Sequence, residues 1–367
     1  MKFNINKTDF IKTLQRMQGI VEKRNTMPIL SNILLESKNT KIDITATDLE
    51  IYIKDSAQAN ISEEGSVTIN AKKIYEIVKE LPEDNINIST NKEDKITIKS
   101  GKARFTIMGL SAKDFPVFPS FEDVTMEQID NKVLKELIDK TAFAVSTDET
   151  RYNINGFLFE RGKDGIKMVS TDGHRLALVE KKEIKSNNED KKGVLIPRKG
   201  MMEIRKTLDE KEGEFQFGIN QKNAVMKKDD ILINIRLLEG EFPDYNKVIP
   251  TDNNKKIIVE KETMLSSLKR VSILSSDKIK GVKFNFANNR LTLSSSSPEI
   301  GDATEDIDAQ YKGEDIEIAF NARYVIDCLE SVDEENVMIK LKDPLSPGII
   351  CSAQNGDYTY IIMPMRL

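Results

Sequence analysis

The chain has 367 residues, of which 39% are hydrophobic and 31% charged, with a net charge of −5, as is typical of a globular protein of two or three domains. One histidine, two cysteines and the absence of GxxxxGK[ST] and GxGxxG argue against a zinc site, a nucleotide or another cofactor. No long apolar run or hydrophobic signal core is present, so we expect a cytoplasmic protein without a membrane segment.

Helical periodicity predicts six amphipathic helices. Asn6 is suited to cap the first, in which Phe10, Leu14 and Met17 recur on one face and Lys12 lies on the other. The other helices show the same separation of apolar and charged faces. In chain order the predicted helices are 7–18, 71–81, 131–145, 198–208, 261–274 and 321–332.

Alternating apolar residues predict strands between these helices. KIDITA from Lys41 and LEIYIK from Leu49 each place their apolar residues, Leu49 included, on one strand face. INIST from Ile86, KITIK from Lys95 and ARFTI from Ala103 follow the second helix. The fold class is therefore predicted to be α+β, with two helices packed on one face of antiparallel sheet in each unit.

The sequence contains three similar repeats. TATDLEIYI from Thr45 is similar to VSTDGHRLALV from Val169, and VTINAKKIYEIVKELPED from Val67 corresponds to VLIPRKGMMEIRKTLDE from Val194 and IEIAFNARYVIDCLESVDEE from Ile316. Corresponding residues lie 124 to 127 positions apart, and the three copies cover nearly the whole chain. We predict three domains of one fold, at 1–126, 127–252 and 253–367.

Positive charge is concentrated in the predicted helices. They carry a net charge of +8 over 75 residues, whereas the other 292 residues carry −13. The excess recurs in five of the six helices and comes mainly from lysines, which favours salt-sensitive contact with phosphates without sequence preference. A shared surface that faces a polyanion is predicted; lysines placed only for solubility are the alternative.

The only histidine lies in VSTDGHRLALV, where Asp172, His174 and neighbouring hydroxyls have the composition of a hydrolase triad. On a strand, Asp172 and His174 would share a face without the in-line geometry that a triad needs. GxSxG is absent, and the first repeat has no histidine at the matching place. We favour a binding role and keep a hydrolase using His174 as an alternative. Cys328 and Cys351 are expected to be reduced, buried thiols.

The chain resembles the bacterial DNA sliding clamp, the beta subunit of DNA polymerase III. The resemblance runs from end to end and includes PILSNILL from Pro28, TATDLE from Thr45, RYNINGFLFE from Arg151, STDGHRLA from Ser170 and the terminal MPMRL. It implies a head-to-tail homodimer that closes a ring of helices around double-stranded DNA, without catalysis. The implied partners are the replicative DNA polymerase, an ATP-dependent clamp loader, and other polymerases and repair proteins that bind through short linear motifs.

The resemblance also implies two sets of binding residues. Together with basic positions on the helices, the residues expected to contact DNA are Arg24, Lys72, Tyr152, Asn153, Lys12 and Arg198. The residues expected to form a hydrophobic groove for partner motifs, between the second and third domains, are Ile154, Thr171, Gly173, His174, Arg175, Leu176, Pro243, Lys247, Val248, Asn321, Tyr324, Leu345, Pro347, Met363, Pro364, Met365 and Arg366. Lys247 stands where an arginine is common in the family.

Two apolar pairs predict the joint between subunits. Ile273 falls outside the apolar stripe of helix 261–274, and Leu274 follows it, while ARFTI presents Phe105 and Ile107 on a strand that precedes a linker. We predict that the two pairs meet across the joint of a symmetric dimer, with strands pairing there. The charged residues expected to flank the joint are Lys73, Arg104, Glu299, Asp302 and Glu305. A repeat-built scaffold that binds only proteins, without encircling DNA, is the alternative.

The C-terminal segment YTYIIMPMRL is predicted to begin as a strand that ends at Pro364. Its two methionines and final leucine are poorly suited to a solvated tail. We therefore predict that the tail packs beside His174, Arg175 and Leu176 as one wall of the groove.

Overall fold

Each of the six α-helices in the described part of the chain lies where the sequence predicts one. The computed structural model describes residues 1–21, 27–91, 93–184, 193–210, 214–275, 280–354 and 356–366. The helices are α1 Lys7–Met17, α2 Ala71–Glu80, α3 Asn131–Asp139, α4 Arg198–Glu210, α5 Lys261–Val271 and α6 Ala322–Glu330. The predictions 131–145 and 261–274 are too long, because short 3-10 helices at Ala142–Ala144 and Ser272–Leu274 follow α3 and α5 instead of further α-helical turns.

Local sequence explains where α1 begins. The Asn6 side-chain oxygen accepts hydrogen bonds from the backbone N–H groups of Thr8 and Asp9, at 2.9 and 3.3 Å, which confirms the predicted cap. Phe10, Leu14 and Met17 are fully buried, so the apolar stripe faces the core. Helix formation and burial thus follow from one pattern.

The strands of the described residues form antiparallel sheets. From the first repeat come β1 Lys2–Asn6, β2 Asn32–Lys38, β3 Lys41–Thr47, β4 Ile51–Glu63, β5 Gly65–Asn70, β6 Asn85–Thr90, β7 Lys95–Ser100 and β8 Ala103–Met108. From the second come β9 Met126–Asp130, β10 Gly156–Gly162, β11 Gly165–Thr171, β12 Arg175–Lys181, β13 Val194–Pro197, β14 Glu214–Ile219, β15 Asn223–Lys228 and β16 Ile231–Arg236. From the third come β17 Lys255–Glu260, β18 Gly281–Ala287, β19 Arg290–Ser297, β20 Gly301–Asp308, β21 Ile316–Asn321, β22 Asn336–Leu341, β23 Gly348–Ser352 and β24 Tyr358–Ile362.

Contacts divide the chain into two compact units. The first, Met1–Asn131 with Glu203–Leu237, contains a sheet in the order β8-β7-β6-β1-β4-β16-β15-β14-β9, with β2, β3 and β5 attached through β4. The second, Lys132–Met202 with Leu238–Leu367, contains the sheets β13-β10-β11-β12-β24-β23-β22-β17 and β20-β19-β18-β21. The domain boundaries near 126 and 252 stay predictions.

In each unit one antiparallel strand pair, here called a seam, joins two sequence repeats. The first seam pairs β4 with β16 and sets Ile51 opposite Ile235. The second pairs β12 with β24 and sets Arg175 opposite Ile362. Both seams have the same register. Ile51 and Arg175 each lie three residues after the aspartate of a Thr-Asp sequence, and their partners Ile235 and Ile362 are each the fifth residue of their strand. In the first repeat β8 corresponds to β16 and β24, and in the third repeat β20 corresponds to β4 and β12. Among the described strands, β8 and β20 lie at sheet edges without a seam partner.

Burial agrees with most predicted faces. Ile42, Ile44 and Ala46 of β3 are fully buried, and Cys328 and Cys351 are buried free thiols as expected. Leu49 was wrongly assigned to a strand, because β4 begins at Ile51 and Leu49 is an exposed turn residue with φ of 79°. Of the helices in the described ranges, none combines the length and the apolar character needed to cross a membrane.

Candidate partner groove and DNA-facing residues

The sole histidine lies in a hairpin turn between β11 and β12, not on a strand as predicted. The Thr171 hydroxyl accepts a hydrogen bond from the Gly173 N–H at 3.0 Å. The Asp172 carboxylate accepts from the N–H groups of His174 and Arg175, at 2.9 and 3.1 Å. Gly173 adopts φ of 89°, in the left-handed region that favours glycine. Asp172 therefore shapes the turn, and the contacts described for its carboxylate do not orient the imidazole as a triad would.

The first repeat builds the same turn without a histidine. The Thr47 hydroxyl accepts from the Leu49 N–H at 2.9 Å, and Asp48 accepts from the N–H groups of Glu50 and Ile51 at 3.0 and 2.7 Å. Leu49 takes the place of the glycine, with φ of 79°. The Thr-Asp pair that resembled part of an active site is thus a repeated turn element.

Arg175 is a structural support for the groove wall. Its guanidinium donates to Asp172 at 3.1 Å, to Asp327 at 2.7 Å and to the Phe143 carbonyl at 2.5 Å. It also lies over the Tyr324 ring at 4.5 Å from the centroid. Only 10% of the side chain is exposed, so these contacts hold it in place and leave little of it for a ligand.

Next to this support, β12 contributes to an apolar surface. The Leu176 side chain belongs to a buried cluster with Leu158, Val169, Leu195, Tyr245 and Ile361. The partly buried side chains packed against this cluster are Leu178, Leu238, Phe242 and Ile249. They form a surface that an apolar ligand can cover further, which is the property expected of a docking groove.

Tyr245 anchors the base of this surface. Its hydroxyl donates to the Glu160 carboxylate at 2.8 Å. Burial, reinforced by that carboxylate, raises the pKa of Tyr245 well above its ordinary value, so the hydroxyl stays a donor at neutral pH.

The C-terminal tail lies beside the turn, as predicted. The Met363 N–H donates to the His174 carbonyl at 2.9 Å, and the Met365 N–H donates to the Ala319 carbonyl at 2.8 Å. The His174 ring lies 6.3 Å from the Tyr324 ring, centroid to centroid. These two backbone hydrogen bonds hold the tail beside the histidine, and the Met363 side chain is exposed there. Leu367 falls outside the described residues.

The remaining groove candidates have different surroundings. Pro243 and Val248 are exposed on the segment that also carries Tyr245. Lys247 is exposed and forms an ion pair with Asp244 at 3.1 Å. These side chains are available to a ligand at the edge of the apolar surface.

Four other candidates have the surroundings of core, capping or surface residues. Ile154 is buried in the core, and the Asn321 side-chain oxygen caps α6 by accepting from the Arg323 N–H at 2.9 Å. Leu345 is exposed, and the Pro347 carbonyl accepts from the Asn253 side chain at 2.9 Å. The contacts described for Leu345 and Pro347 do not connect them to His174.

Sequence reasoning missed several groove residues. Leu178 follows Leu176 by two positions on β12, so strand alternation was a usable signal for it. Phe143 and Asp327 gave no such signal, because their contacts with Arg175 join residues 32 and 152 positions apart. Phe242 packs against the groove cluster directly before the candidate Pro243, but no periodic pattern in the sequence points to it.

The first seam does not repeat this apolar surface. Strand registers match Val169, Leu195 and Ile361 of the groove to Thr45, Thr68 and Asn234. All three replacements are buried, and the Asn234 amide has no hydrogen-bond partner among the described residues. The Tyr52 ring, which matches Leu176, packs edge-on against Phe118 with centroids 5.6 Å apart. Of the two seams, only the second therefore presents an apolar groove.

The DNA-facing candidates belong to both units. Lys12 on α1 and Lys72 on α2 are exposed in the first unit, with a Glu76 carboxylate 3.7 Å from the Lys72 amine. In the second unit Tyr152 and Arg198 are exposed. The last two candidates are Asn153, which is half-buried, and Arg24, which lies outside the described residues. The described acidic, histidine and cysteine side chains include no cluster of three or more that is suited to hold a metal ion.

Comparison with known proteins identifies this architecture. The three models of the DNA polymerase III beta subunit match consecutive parts of the chain, namely the N-terminal domain at residues 1–119, the central domain at 128–244 and the C-terminal domain at 246–366. The beta sliding clamp of Pseudomonas putida is 34% identical over the full length of both chains.

Solved structures agree with the sequence matches. The DNA polymerase III subunit beta from Pseudomonas aeruginosa superimposes with a TM-score of 0.94 at 33% identity, over all of both chains. The sliding clamp from Bartonella birtlesii, solved bound to griselimycin, gives a TM-score of 0.95 at 34% identity, again over all of both chains. The fold is therefore that of the three-domain DNA clamps. The chain belongs to the family of DNA polymerase III beta subunits.

Proposed function

We propose that this protein is the processivity factor of a replicative DNA polymerase. Two subunits form a head-to-tail ring that encircles duplex DNA and slides along it. The polymerase, an ATP-dependent clamp loader, and other polymerases and repair proteins bind the groove at the second seam through short motifs. The protein acts in the cytoplasm, on DNA, and performs no chemistry itself.

The repeated seam is the observation that carries this proposal. Each seam joins the strand after a turn in one repeat to the last hairpin strand of the next repeat, as β4 joins β16 and β12 joins β24. The same pairing between corresponding strands predicts a third seam between β20 and β8. Both strands lie at sheet edges and belong to the last and first repeats, so a second copy of the chain can supply the missing partner. Two copies then close a ring.

Side chains on the edge strands support this third seam. Phe105 is the third residue of β8, where β16 has Ile233 and β24 has Tyr360, both fully buried. Phe105 itself is 39% exposed. Ile107, the fifth residue, matches Ile235 in the same way. The two positions need cover that the single chain does not supply.

The helix ends give a second, independent match. Ile273 follows α5 as Phe143 follows α3, and Phe143 packs edge-on against Tyr360, with ring centroids 5.1 Å apart. Since Tyr360 matches Phe105, Ile273 of one subunit is expected to meet Phe105 of the other. Ile273 is 73% exposed, which agrees with an apolar residue kept for an interface.

Sequence reasoning did not identify a third apolar member of the joint. Asp327 on α6 binds Arg175 at the second seam, and Glu203, at the matching place on α4, lies against Gly19 at the first. The matching residue of α2 is Glu76, which pairs with Lys73, and the half-buried Ile77 follows it on the same helix. Ile77, next to the matching place, suits an apolar contact with Ile273 across the joint.

The residue that precedes the last strand of each repeat is acidic at the first two seams and basic at the proposed third seam. Asp230 directly precedes β16 and pairs with Lys41 at 2.7 Å, and Asp357 directly precedes β24 and pairs with Lys181 at 2.6 Å. Lys102 directly precedes β8 instead. The charged residues of the facing strand β20 are all acidic, namely Asp302, Glu305, Asp306 and Asp308. Like-charged edges repel, so the edges favour head-to-tail pairing over self-pairing.

Within one subunit some of these charges already have partners. Glu305 accepts from Arg270 and from the Ser267 hydroxyl, and the hydrogen bonds from Arg270 lower the pKa of Glu305. Lys73 pairs with Glu76 at 2.9 Å. A contact of Lys73 or Arg104 with Glu305 therefore requires these exposed pairs to exchange, which costs little because surface pairs are weak.

A ring explains why the DNA contacts need no sequence preference. The candidates Lys12, Lys72 and Arg198 lie on helices, where they would neutralise phosphates and would not read bases. Binding by enclosure tolerates weak contacts, because dissociation requires the ring to open.

Native mass and DNA topology test the proposal together. The 41.6 kDa chain should sediment as a dimer, and clamps loaded on nicked circular DNA by a clamp loader with ATP should be lost when the circle is cut. A monomer, or equal retention on circular and linear DNA, would favour the protein-only scaffold. A hydrolytic activity lost in His174→Ala would favour the enzyme alternative.

A further inference from the structure

The 146–154 loop, which carries a DNA-facing candidate, also contacts the groove turn. The Arg151 guanidinium donates to the Asp172 carbonyl at 2.8 Å. It lies directly over Gly173, because a Cβ placed on that glycine would be 2.8 Å from one Arg151 nitrogen. Arg151 therefore occupies the space that a side chain at position 173 would need, and it binds the backbone that presents His174 and Arg175.

The first repeat shows what the turn looks like without this contact. Met27 matches Arg151, since each accepts a backbone hydrogen bond from the residue three positions later, Leu30 and Ile154, at 3.1 and 3.0 Å. The residue that matches Gly173 is Leu49. In the first repeat the pair is thus methionine with leucine, both exposed, and in the second it is arginine with glycine.

The neighbouring residue makes an analogous contact on another groove segment. A Cβ placed on Gly240 would lie 3.1 Å from a ring carbon of Tyr152, and Gly240 has φ of 114°. Gly240 lies between Leu238 and Phe242, which both pack against the apolar cluster of the groove. Successive residues of the loop therefore cover glycines in two segments that border the groove.

We propose that Arg151 and Tyr152 are positioning residues of the partner groove. Arg151 fixes the flexible turn at Gly173, and Tyr152 fixes the segment around Gly240, so that the groove is preformed before a partner arrives. This inference rests on the proposed docking role of the groove, but the arrangement of the turn can be tested without a ligand.

The single histidine provides that test. In protein labelled at histidine carbon, the imidazole gives one set of NMR signals, all from His174. Arg151→Met copies the residue of the first repeat, so the fold should tolerate it, and the His174 signals of the free dimer should shift or broaden. Griselimycin, which binds a relative's clamp, serves as the ligand. Its dissociation constant should rise about five- to tenfold, as expected for loss of one solvent-accessible intramolecular hydrogen bond. Tyr152→Ala should act in the same direction.

Matched variants separate positioning from folding. Gly173→Leu alone should lower the melting temperature, because leucine is strained at the positive φ of this position and also competes with Arg151 for one space. Arg151→Met with Gly173→Leu, the pair of the first repeat, should recover the part of the loss that comes from this competition but not the affinity. Lys312→Met, which removes an exposed cation outside the groove and outside the seam strands, should change neither measurement.

The outcomes are distinguishable. Unchanged His174 signals, or wild-type affinity, in Arg151→Met would overturn the positioning role. If the wild-type dimer fails to bind griselimycin although Arg151→Met alters the His174 signals, the positioning role holds and the docking role of the groove fails.

Discussion

The joint between subunits gives the sharpest quantitative prediction. Phe105→Ala combined with Ile273→Ala removes two apolar side chains that the single chain leaves partly exposed. The folded subunit should be little affected, because neither residue is buried in it. The dimer should be weakened strongly, since each of its two joints would lose both side chains.

The magnitude follows from exposure. Phe105 is 39% exposed and Ile273 is 73% exposed. Full burial of such a side chain contributes about 1.5–3 kcal/mol, so covering these fractions contributes about 2–3 kcal/mol at each joint. Two joints give about 4–6 kcal/mol, which corresponds to a dimer dissociation constant raised about 10³- to 10⁴-fold.

Sedimentation equilibrium over a range of concentrations measures this constant. Val117→Ala is the matched control, because Val117 is 88% exposed but lies on no seam strand. Its dimer should dissociate like the wild type. A double variant whose dissociation constant stays within about threefold of the wild type, a difference of about 0.7 kcal/mol, would refute the joint deduced from the two seams.

Three further results are expected. Lys12→Glu with Lys72→Glu should weaken binding to duplex DNA of any sequence and reduce its salt dependence, measured by fluorescence anisotropy; a loss confined to one DNA sequence would contradict this. Deleting 363–367 removes a backbone hydrogen bond to the groove turn, so griselimycin binding should be lost while the dimer persists; undiminished heat in titration calorimetry would place the groove elsewhere. Burial raises the pKa of Glu136, but hydrogen bonds from two lysines outweigh this and hold the pKa below its ordinary 4.5. Glu136 therefore stabilises the fold above pH 4.5 and less as the pH falls through its lowered pKa, so urea midpoints of wild type and Glu136→Gln should converge in acid.

The sequence alone determined the local elements and their repetition. Periods of 3.6 and 2 residues record which side chains face a core, and caps such as Asn6 act through neighbours two or three positions away. The helices therefore begin within one residue of the predicted starts, whereas α3 ends at Asp139, well before the predicted 145. The three copies of one pattern determined that the same layer is built three times. The resemblance added the positions of groove and DNA contacts, which no local pattern contains.

The tertiary structure alone decided what surrounds those positions. Asp172 looked like a partner for His174, but the chain turns there, and its carboxylate serves backbone N–H groups and Arg175. Arg175 reaches Asp327, 152 positions away, and Arg151 covers a glycine 22 positions away. Such contacts depend on how strands register across a seam, and they leave no periodic trace in sequence because each joins residues whose spacing is set by the fold. The difference between an apolar second seam and a polar first one appears only once the strand registers align the two.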